Sequence, residues 1–304
     1  MTTIKHNNIT WIDIENPSAQ DVLFLKEKFN FHPLVLEELT SPSQRPRAEE
    51  FENCLYIVIH VPLYDKKKKA SYPGELDMIV TKNHLITSHV EENIPVKSII
   101  RLLKRDIQTK EKAMSKTSGF FLYFVMEKLI SSCFPKIDHI DKKIDFIEKS
   151  IFDKKEKKML KEISIVKRDV LNLRRTLKPQ RSILESLLQK KYVLLENELN
   201  NYFQDLIGTN IRVWNAIENT KEVIESLEET NNSLVSHKIN EVMRFIAAIS
   251  LITFSLSVTT GIFSMIPFAE FYSGNNPAIF WLVLLFMGLI VTTLLFIFKR
   301  KNWF

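Results

Sequence analysis

Ser250, Thr253, Ser257, Thr260 and Ser264 recur at intervals of 3, 4, 3 and 4 inside an apolar run without charge. At helical spacing these side chains share one face, and two kinds of chemistry use such a face. Small and hydroxyl residues let transmembrane helices approach closely and pack. The same oxygens, set around an axis by several copies of one helix, line a path for an ion. Spacing alone leaves both readings open. Intramembrane charge is the usual mark of a transporter site, and the run has none. That fits a small divalent ion that dehydrates reluctantly and passes inside its water shell, touching hydroxyl, amide and carbonyl oxygens.

Other chemistries find little support. No nucleophile with a base beside it, no metal-ligand cluster and no glycine-rich phosphate loop appears, so the sequence argues against an enzyme and against an organic cofactor. His32, His60, His84, His89, His139 and His237 are scattered and read as structural; His237 lies just below the candidate pathway, and the sequence leaves its facing the lumen as the alternative to that structural reading. Cys54 and Cys133 are far apart in apolar contexts and read as reduced.

The elements that must position the hydroxyl face are two uncharged segments, 245–266 (FIAAISLITFSLSVTTGIFSMI) and 278–298 (AIFWLVLLFMGLIVTTLLFIF). Each reaches the roughly 20 residues needed to cross a bilayer as helix. Lys299, Arg300 and Lys301 follow the second span, whereas the connection PFAEFYSGNNP carries no Lys or Arg, so both termini are expected on the cytoplasmic side of the plasma (inner) membrane. Trp281 and Trp303 suit the two interfaces, and no secretory signal is read at the start. The net charge of +6 comes without a nucleic-acid motif. The basic runs at 66–69 and 153–158 and the basic tail fit solvated faces or an anionic lipid leaflet better.

The chain then divides into a cytoplasmic α/β domain (1–95), a helical stalk and arm (96–240), a first transmembrane helix (241–267), an external loop (268–277), a second transmembrane helix (278–298) and a basic tail (299–304). In the first part ITWIDI (9–14), CLYIVIHVPLY (54–64) and ELDMIVTKNHLITSH (75–89) read as strands of a mixed sheet, the last turning at Lys82-Asn83. Asn16 is the expected N-cap of the helix that follows, with Pro17 just inside it. From Ile94 the pattern is helical, with Pro135, Pro179 and Gly208 as the main interruptions. Ile137, Ile140, Ile144, Ile147 and Ile151 place one apolar stripe on a charged hairpin arm spanning 136–177. The stretch 192–266 has no proline and reads as one helix of about 110 Å, which requires packing against copies or neighbours.

Several collinear stretches carry a family resemblance over nearly the whole length: FHPLVLEELTSPSQRPRAEEFENCLYIVIHVPLYD (31–65), RRTLKPQRSILESLL (174–188), YFQDLIGTNIRVWNAIENTKEVIESL (202–227), SHKINEVMRF (236–245) and the ending KRKNWF. With them the chain resembles the CorA family of divalent-cation transporters. The resemblance implies an α+β/α membrane protein, a funnel-shaped homopentamer whose long inner helices line one central pore. It places Asn240, Met243, Ser250, Phe254, Ser257, Gly261 and Ser264 on the pore face. It also implies a divalent cation, magnesium above all, held between subunits by Glu38 and Asp205 and favouring the closed state. Glu38 is one methylene longer than the family's usual aspartate.

The outer mouth departs from that pattern. The family signature Gly-Met-Asn is Ser264-Met265-Ile266 here, and isoleucines cannot supply the amide oxygens and N–H groups of asparagines. The acidic external motif is absent, leaving Glu270 to attract cations, with Asn275 and Asn276 as neutral oxygens. The expected function is divalent-cation transport, of magnesium or with selectivity moved towards zinc, cobalt or nickel. The alternative is a non-conducting pentamer with a sensing or partner-binding cytoplasmic domain.

Overall fold

The computed structural model describes residues 1–41, 45–153, 155–190, 192–264 and 277–301. The chain divides into two units, Met1–Glu228 and Glu229–Phe304.

In the first unit six strands form one mixed sheet: β1 (Thr2–His6), β2 (Ile9–Glu15), β3 (Arg47–Phe51), β4 (Cys54–Asp65), β5 (Ala70–Val80) and β6 (His84–His89), in the order β1-β2-β6-β5-β4-β3. Only the β2–β6 pairing is parallel among these. The near-continuous apolar runs of β4 and β5 match a sheet covered on both faces. On one face Ile12, Ile14, Tyr56, Val58, Ile79 and Ile86 pack with Leu25 of α1 (Ala19–Phe29) and Val35 and Leu36 of α2 (Pro33–Glu38). The opposite face carries Trp11, which meets Phe121 of α5 (Ser118–Ser131) edge to face at 5.6 Å. The helices α3 (Ile94–Arg105) and α4 (Ile107–Met114) lie between β6 and α5 in the chain.

The basic run 66–69 is the β4–β5 hairpin loop. Asp65 Oδ1 accepts from the backbone N–H groups of Lys67 (2.7 Å) and Lys68 (3.1 Å), and Lys69 closes the turn at φ 50. The exposed lysines here are the solvated loop of a turn.

Asn16 does not cap α1. Its φ of 53 is left-handed, and its N–H donates to the His89 carbonyl at 2.8 Å, tying the end of β2 to β6. Ser18 is the N-cap, in a capping box in which its hydroxyl accepts from Asp21 N and the Asp21 carboxylate accepts from Ser18 N. Pro17 therefore precedes the helix.

The arm is a hairpin of α6 (Phe134–Phe152) and α7 (Glu156–Leu177). The five isoleucines expected on its apolar stripe are all buried. Pro135 lies in the first turn of α6, and Pro179 is the N-cap of α8 (Gln180–Gln189). Gly208 interrupts nothing: α9 runs unbroken from Asn200 to Phe263. This helix starts later than 192 because a short 3-10 turn, Asn197–Leu199, intervenes.

The second unit holds the apolar part of α9 and a further helix, α10 (Pro277–Arg300). Both are long and apolar enough to cross a bilayer, and only 11% and 6% of their apolar windows are buried. A water-soluble core helix buries most of such a surface; these leave it for lipid or other chains.

Candidate ion pathway and cation-sensing residues

Helix α9 positions the hydroxyl stripe, and burial separates its faces. Ala248 is fully buried and Thr259 nearly so, while Ile252, Ser255, Leu256 and Phe263 are half-buried. On α10 the covered positions are Val283, Met287, Ile290, Val291, Leu294 and Phe298, at the same 3-to-4 spacing. Such matching stripes are what two helices packed along one seam produce. Positions two residues apart on a helix differ by about 200°. Ser250 and Ser257 therefore lie nearly opposite Ala248 and Thr259. All of Asn240, Met243, Ser250, Phe254, Ser257, Gly261 and Ser264 are exposed in the single chain, Phe254 at 66%. A Cβ added at Gly261 would meet nothing within 4 Å. The small hydroxyl residues on the covered side are Ser255 and Thr259, outside the expected stripe.

The stripe's hydroxyls bond back to their own helix. Thr253 donates to Ile249 O (3.0 Å), Ser257 to Thr253 O (2.9 Å), Thr260 to Leu256 O (3.1 Å) and Ser264 to Thr260 O (2.8 Å). A hydroxyl has one donor and two acceptor lone pairs. With the donors turned back into the helix, the oxygens keep acceptor lone pairs for the water around a cation; Ser255 and Thr259 on the covered side bond their own helix in the same way, so exposure is what distinguishes the stripe. Met265, Ile266 and Glu270 of the expected outer mouth, and Asn275 and Asn276 beside it, lie outside the described residues.

Glu38 closes α2, where Pro33 starts the helix and His32 Nδ1 accepts from Leu34 N at 3.2 Å. Its carboxylate, 30% exposed, is paired through Oε2 with Arg47 Nη2. Arg47 sits at the start of β3 and also reaches Glu49 Oε1 (3.3 Å) and the Arg45 carbonyl (3.4 Å), with its guanidinium 5.7 Å from the centre of the Tyr56 ring. Burial disfavours the Arg47 charge, but the carboxylates of Glu38 and Glu49 outweigh it and hold the guanidinium above its usual range. Beneath it Tyr56 donates to the buried Asp77 at 2.7 Å. Burial pushes the Asp77 carboxyl up to about 7.

Asp205 is exposed on α9, next to buried Phe203 and Leu206. It lies near Tyr123 of α5, whose hydroxyl is raised first by burial and then by the Asp205 charge. No group of three or more His, Cys, Asp or Glu that could hold a metal forms among the described residues. Two carboxylates such as those of Glu38 and Asp205, both reachable from solvent, fit a magnesium ion that keeps its waters. They are too few for a dehydrated ion.

Five of the seven histidines have contacts of their own. His32 caps α2, His84 stands edge-on to Phe29 at 4.9 Å, and His60 faces Glu75 at 3.9 Å. His89 Nε2 lies 3.4 Å from Asp13, whose other contact is Thr87. His237, exposed, approaches Glu241 one helical turn on at 3.5 Å.

Sequence reasoning missed Arg47 and the Tyr56–Asp77 pair. Arg47 stands in QRPRAEE, whose mixed charges read as surface; a Tyr and an Asp on neighbouring positions of paired strands were the available signal for the second.

The match to known proteins covers this whole arrangement. Residues 6–300 fit the family model described as CorA-like Mg2+ transporter protein. The chain belongs to that family. It is 32% identical over 305 residues to the cobalt/magnesium transport protein CorA of Thermotoga maritima, covering 97% of this chain and 83% of that one. The cobalt/magnesium transport protein CorA of Methanocaldococcus jannaschii is 24% identical, with coverage of 97% and 91%. The complete structure of the CorA magnesium transporter from Methanocaldococcus jannaschii superposes with a TM-score of 0.84 over 100% of this chain and 94% of that one, at 21% identity. The fold is therefore the CorA fold, with an N-terminal α/β domain, a long helix and two apolar helices. The CorA family consists of divalent-cation transport proteins, and the chain is a membrane transport protein rather than an enzyme.

Proposed function

We propose that the protein is a homopentameric divalent-cation channel in the inner membrane, with both termini cytoplasmic and α9 of each subunit lining the pore. The observation that carries the reading is the outward face of α9: Ser250, Thr253, Ser257, Thr260 and Ser264 are exposed, while Ala248 and Thr259 on the other side are covered. Repeated around an axis, that face offers a hydrated cation successive rings of acceptors from Ser250 to Ser264, with Asn240 and Met243 at the cytoplasmic end. Phe254 forms an apolar ring among them, a constriction that closes by dewetting. The transported ion is substrate here: magnesium, or zinc, cobalt or nickel where the Ser264-Met265-Ile266 mouth and Glu270 replace the family's asparagine ring.

Gating follows from Glu38 and Asp205. Held between a Glu38 carboxylate of one subunit and the Asp205 carboxylate of its neighbour, a regulatory magnesium ion supplies a charge bridge that favours the closed arrangement. Glu38 stands at the end of α2 and Asp205 in the first turns of α9.

Uptake into liposomes containing the purified protein tests the reading, with magnesium, zinc, cobalt and nickel supplied with and without a pH gradient. Uptake of one or more of these ions is expected. No uptake in any condition, from protein shown to be pentameric, overturns conduction and leaves the cytoplasmic domain as the working part. The regulatory site is tested separately: Glu38→Ala with Asp205→Ala is expected to abolish protection by magnesium against limited proteolysis, and unchanged protection removes the site.

A further inference from the structure

We infer that Arg47 is a built-in competing cation for Glu38, and that it sets the magnesium concentration at which the sensing site fills. This rests on the reading of Glu38 as a sensing residue and adds to it a positioning residue that does not itself hold the ion.

Arg47 is held by several groups at once. Its Nη2 pairs with Glu38 Oε2, its Nε approaches Glu49 Oε1 at 3.3 Å, its Nη1 donates to the Arg45 carbonyl at 3.4 Å, and its plane lies over the Tyr56 ring. The side chain is 24% exposed and Glu38 30%. A free surface arginine samples many rotamers and contributes little to any one contact. Four contacts on one guanidinium fix the charge against Glu38 before any ion arrives, so little of its freedom remains to be lost in pairing.

A divalent ion approaching Glu38 therefore meets a carboxylate with one oxygen already paired. It must use the remaining lone pairs beside a positive group, or displace Arg47 towards Glu49. Either route weakens binding relative to a bare carboxylate. Glu49 supplies the second position: it lets the guanidinium stay paired while Glu38 turns to the ion. The geometry thus divides one positive charge between two carboxylates, only one of which serves the ion.

The experiment uses the full-length protein in detergent and chymotrypsin, which does not cleave at arginine, and reads the magnesium concentration that gives half-maximal protection. It is run in roughly 1 M NaCl, where the Debye length is about 3 Å and charges that are not in contact are screened. Arg47→Gln is expected to lower the half-protecting concentration about three- to fivefold, the scale of a partly exposed ion pair. Arg47→Lys, which keeps the charge but cannot reach Glu38, Glu49 and the Arg45 carbonyl together, is expected to fall between Arg47→Gln and the wild type. Glu49→Gln, at an exposed position that carries no fold, is expected to raise it, since Arg47 then pairs with Glu38 alone. An unchanged or raised value for Arg47→Gln overturns the inference; should that variant not fold, an unchanged or lowered value for Glu49→Gln does so. Glu38→Ala separates the two levels. Protection retained in Glu38→Ala sinks the sensing site itself, while protection lost there and unmoved by Arg47→Gln sinks only the role of Arg47.

Discussion

In the sheet, Thr87 stands between two partners: the Trp11 indole donates to its hydroxyl at 2.9 Å, and the hydroxyl donates to Asp13 at 2.6 Å. On α9 the hydroxyls of Thr253, Ser257, Thr260 and Ser264 each donate to a carbonyl of their own helix and leave the oxygen facing outward. The residue types are the same and the use is opposite. In the sheet core the Thr87 hydroxyl has both halves closed, where an unmatched buried polar atom costs about 1–3 kcal/mol. On a face that meets water or a hydrated ion, only the donor is closed, and exposure leaves the acceptor open. The body thus uses polar groups to fix one structure, and the apolar helices use them to present a surface.

The largest effect is expected where the two regions differ most in burial. Trp11→Ala removes a side chain 1% exposed, packed on Phe121, and should lower stability by about 3–5 kcal/mol in thermal denaturation of the detergent-solubilised protein. Phe254→Ala removes one 66% exposed and should shift stability by less than about 0.5 kcal/mol while increasing ion uptake. A destabilisation by Phe254→Ala comparable to that of Trp11→Ala would break the comparison.

Acidity sharpens it next. Asp77 is buried in the sheet with its carboxyl raised to about 7, above the ordinary carboxylate value that it regains on unfolding. An acid whose pKa is raised by folding binds its proton more tightly in the folded state, so its contribution is full at low pH and declines as pH rises from about 4 to about 7. Asp77→Asn keeps an acceptor for Tyr56 and has no proton to lose. Its stability relative to the wild type should therefore grow over that window by about 2–4 kcal/mol and stay level above it. A difference flat from pH 4 to 8 would show that Asp77 titrates normally.

The glycines make the smallest and most local contrast. A Cβ at Gly74 would sit 2.3 Å from Leu63 Cδ1, so Gly74→Ala should cost about 1–3 kcal/mol. At Gly261 the added methyl meets nothing in the single chain, so Gly261→Ala should leave stability within about 1 kcal/mol. Its effect should appear in uptake, which falls if the methyl narrows a shared pore.

Much of the fold was legible. The strands at 54–64 and 75–89 were readable from branched residues and the Lys82-Asn83 turn, and the arm from its isoleucine spacing, because each pattern repeats over many residues. The short strands Thr2–His6 and Arg47–Phe51 were not, since an edge strand of five residues with exposed polar positions acquires its conformation from its partner. Asn16-Pro17 and Ser18-Asp21 offered two competing helix starts. The choice went to Ser18 because Asn16 is taken up by its bond to His89, a contact 73 positions distant that no local pattern announces.

The site divides in the same way. Charge-free length and the spacing of Ser250 to Ser264 are properties of the chain alone, so the sequence by itself determined that α9 is an apolar helix with one hydroxyl face. It could not say what that face meets, because packing and pore lining obey the same 3.6-residue period. The tertiary structure decided this much: the seam took Ala248 and Thr259 and left Ser250 and Ser257 on the far side. It alone also paired Glu38 with Arg47, across a turn that brings the end of a helix to the start of a strand. Periodicity fixes which residues share a face, and only packing fixes which face is covered.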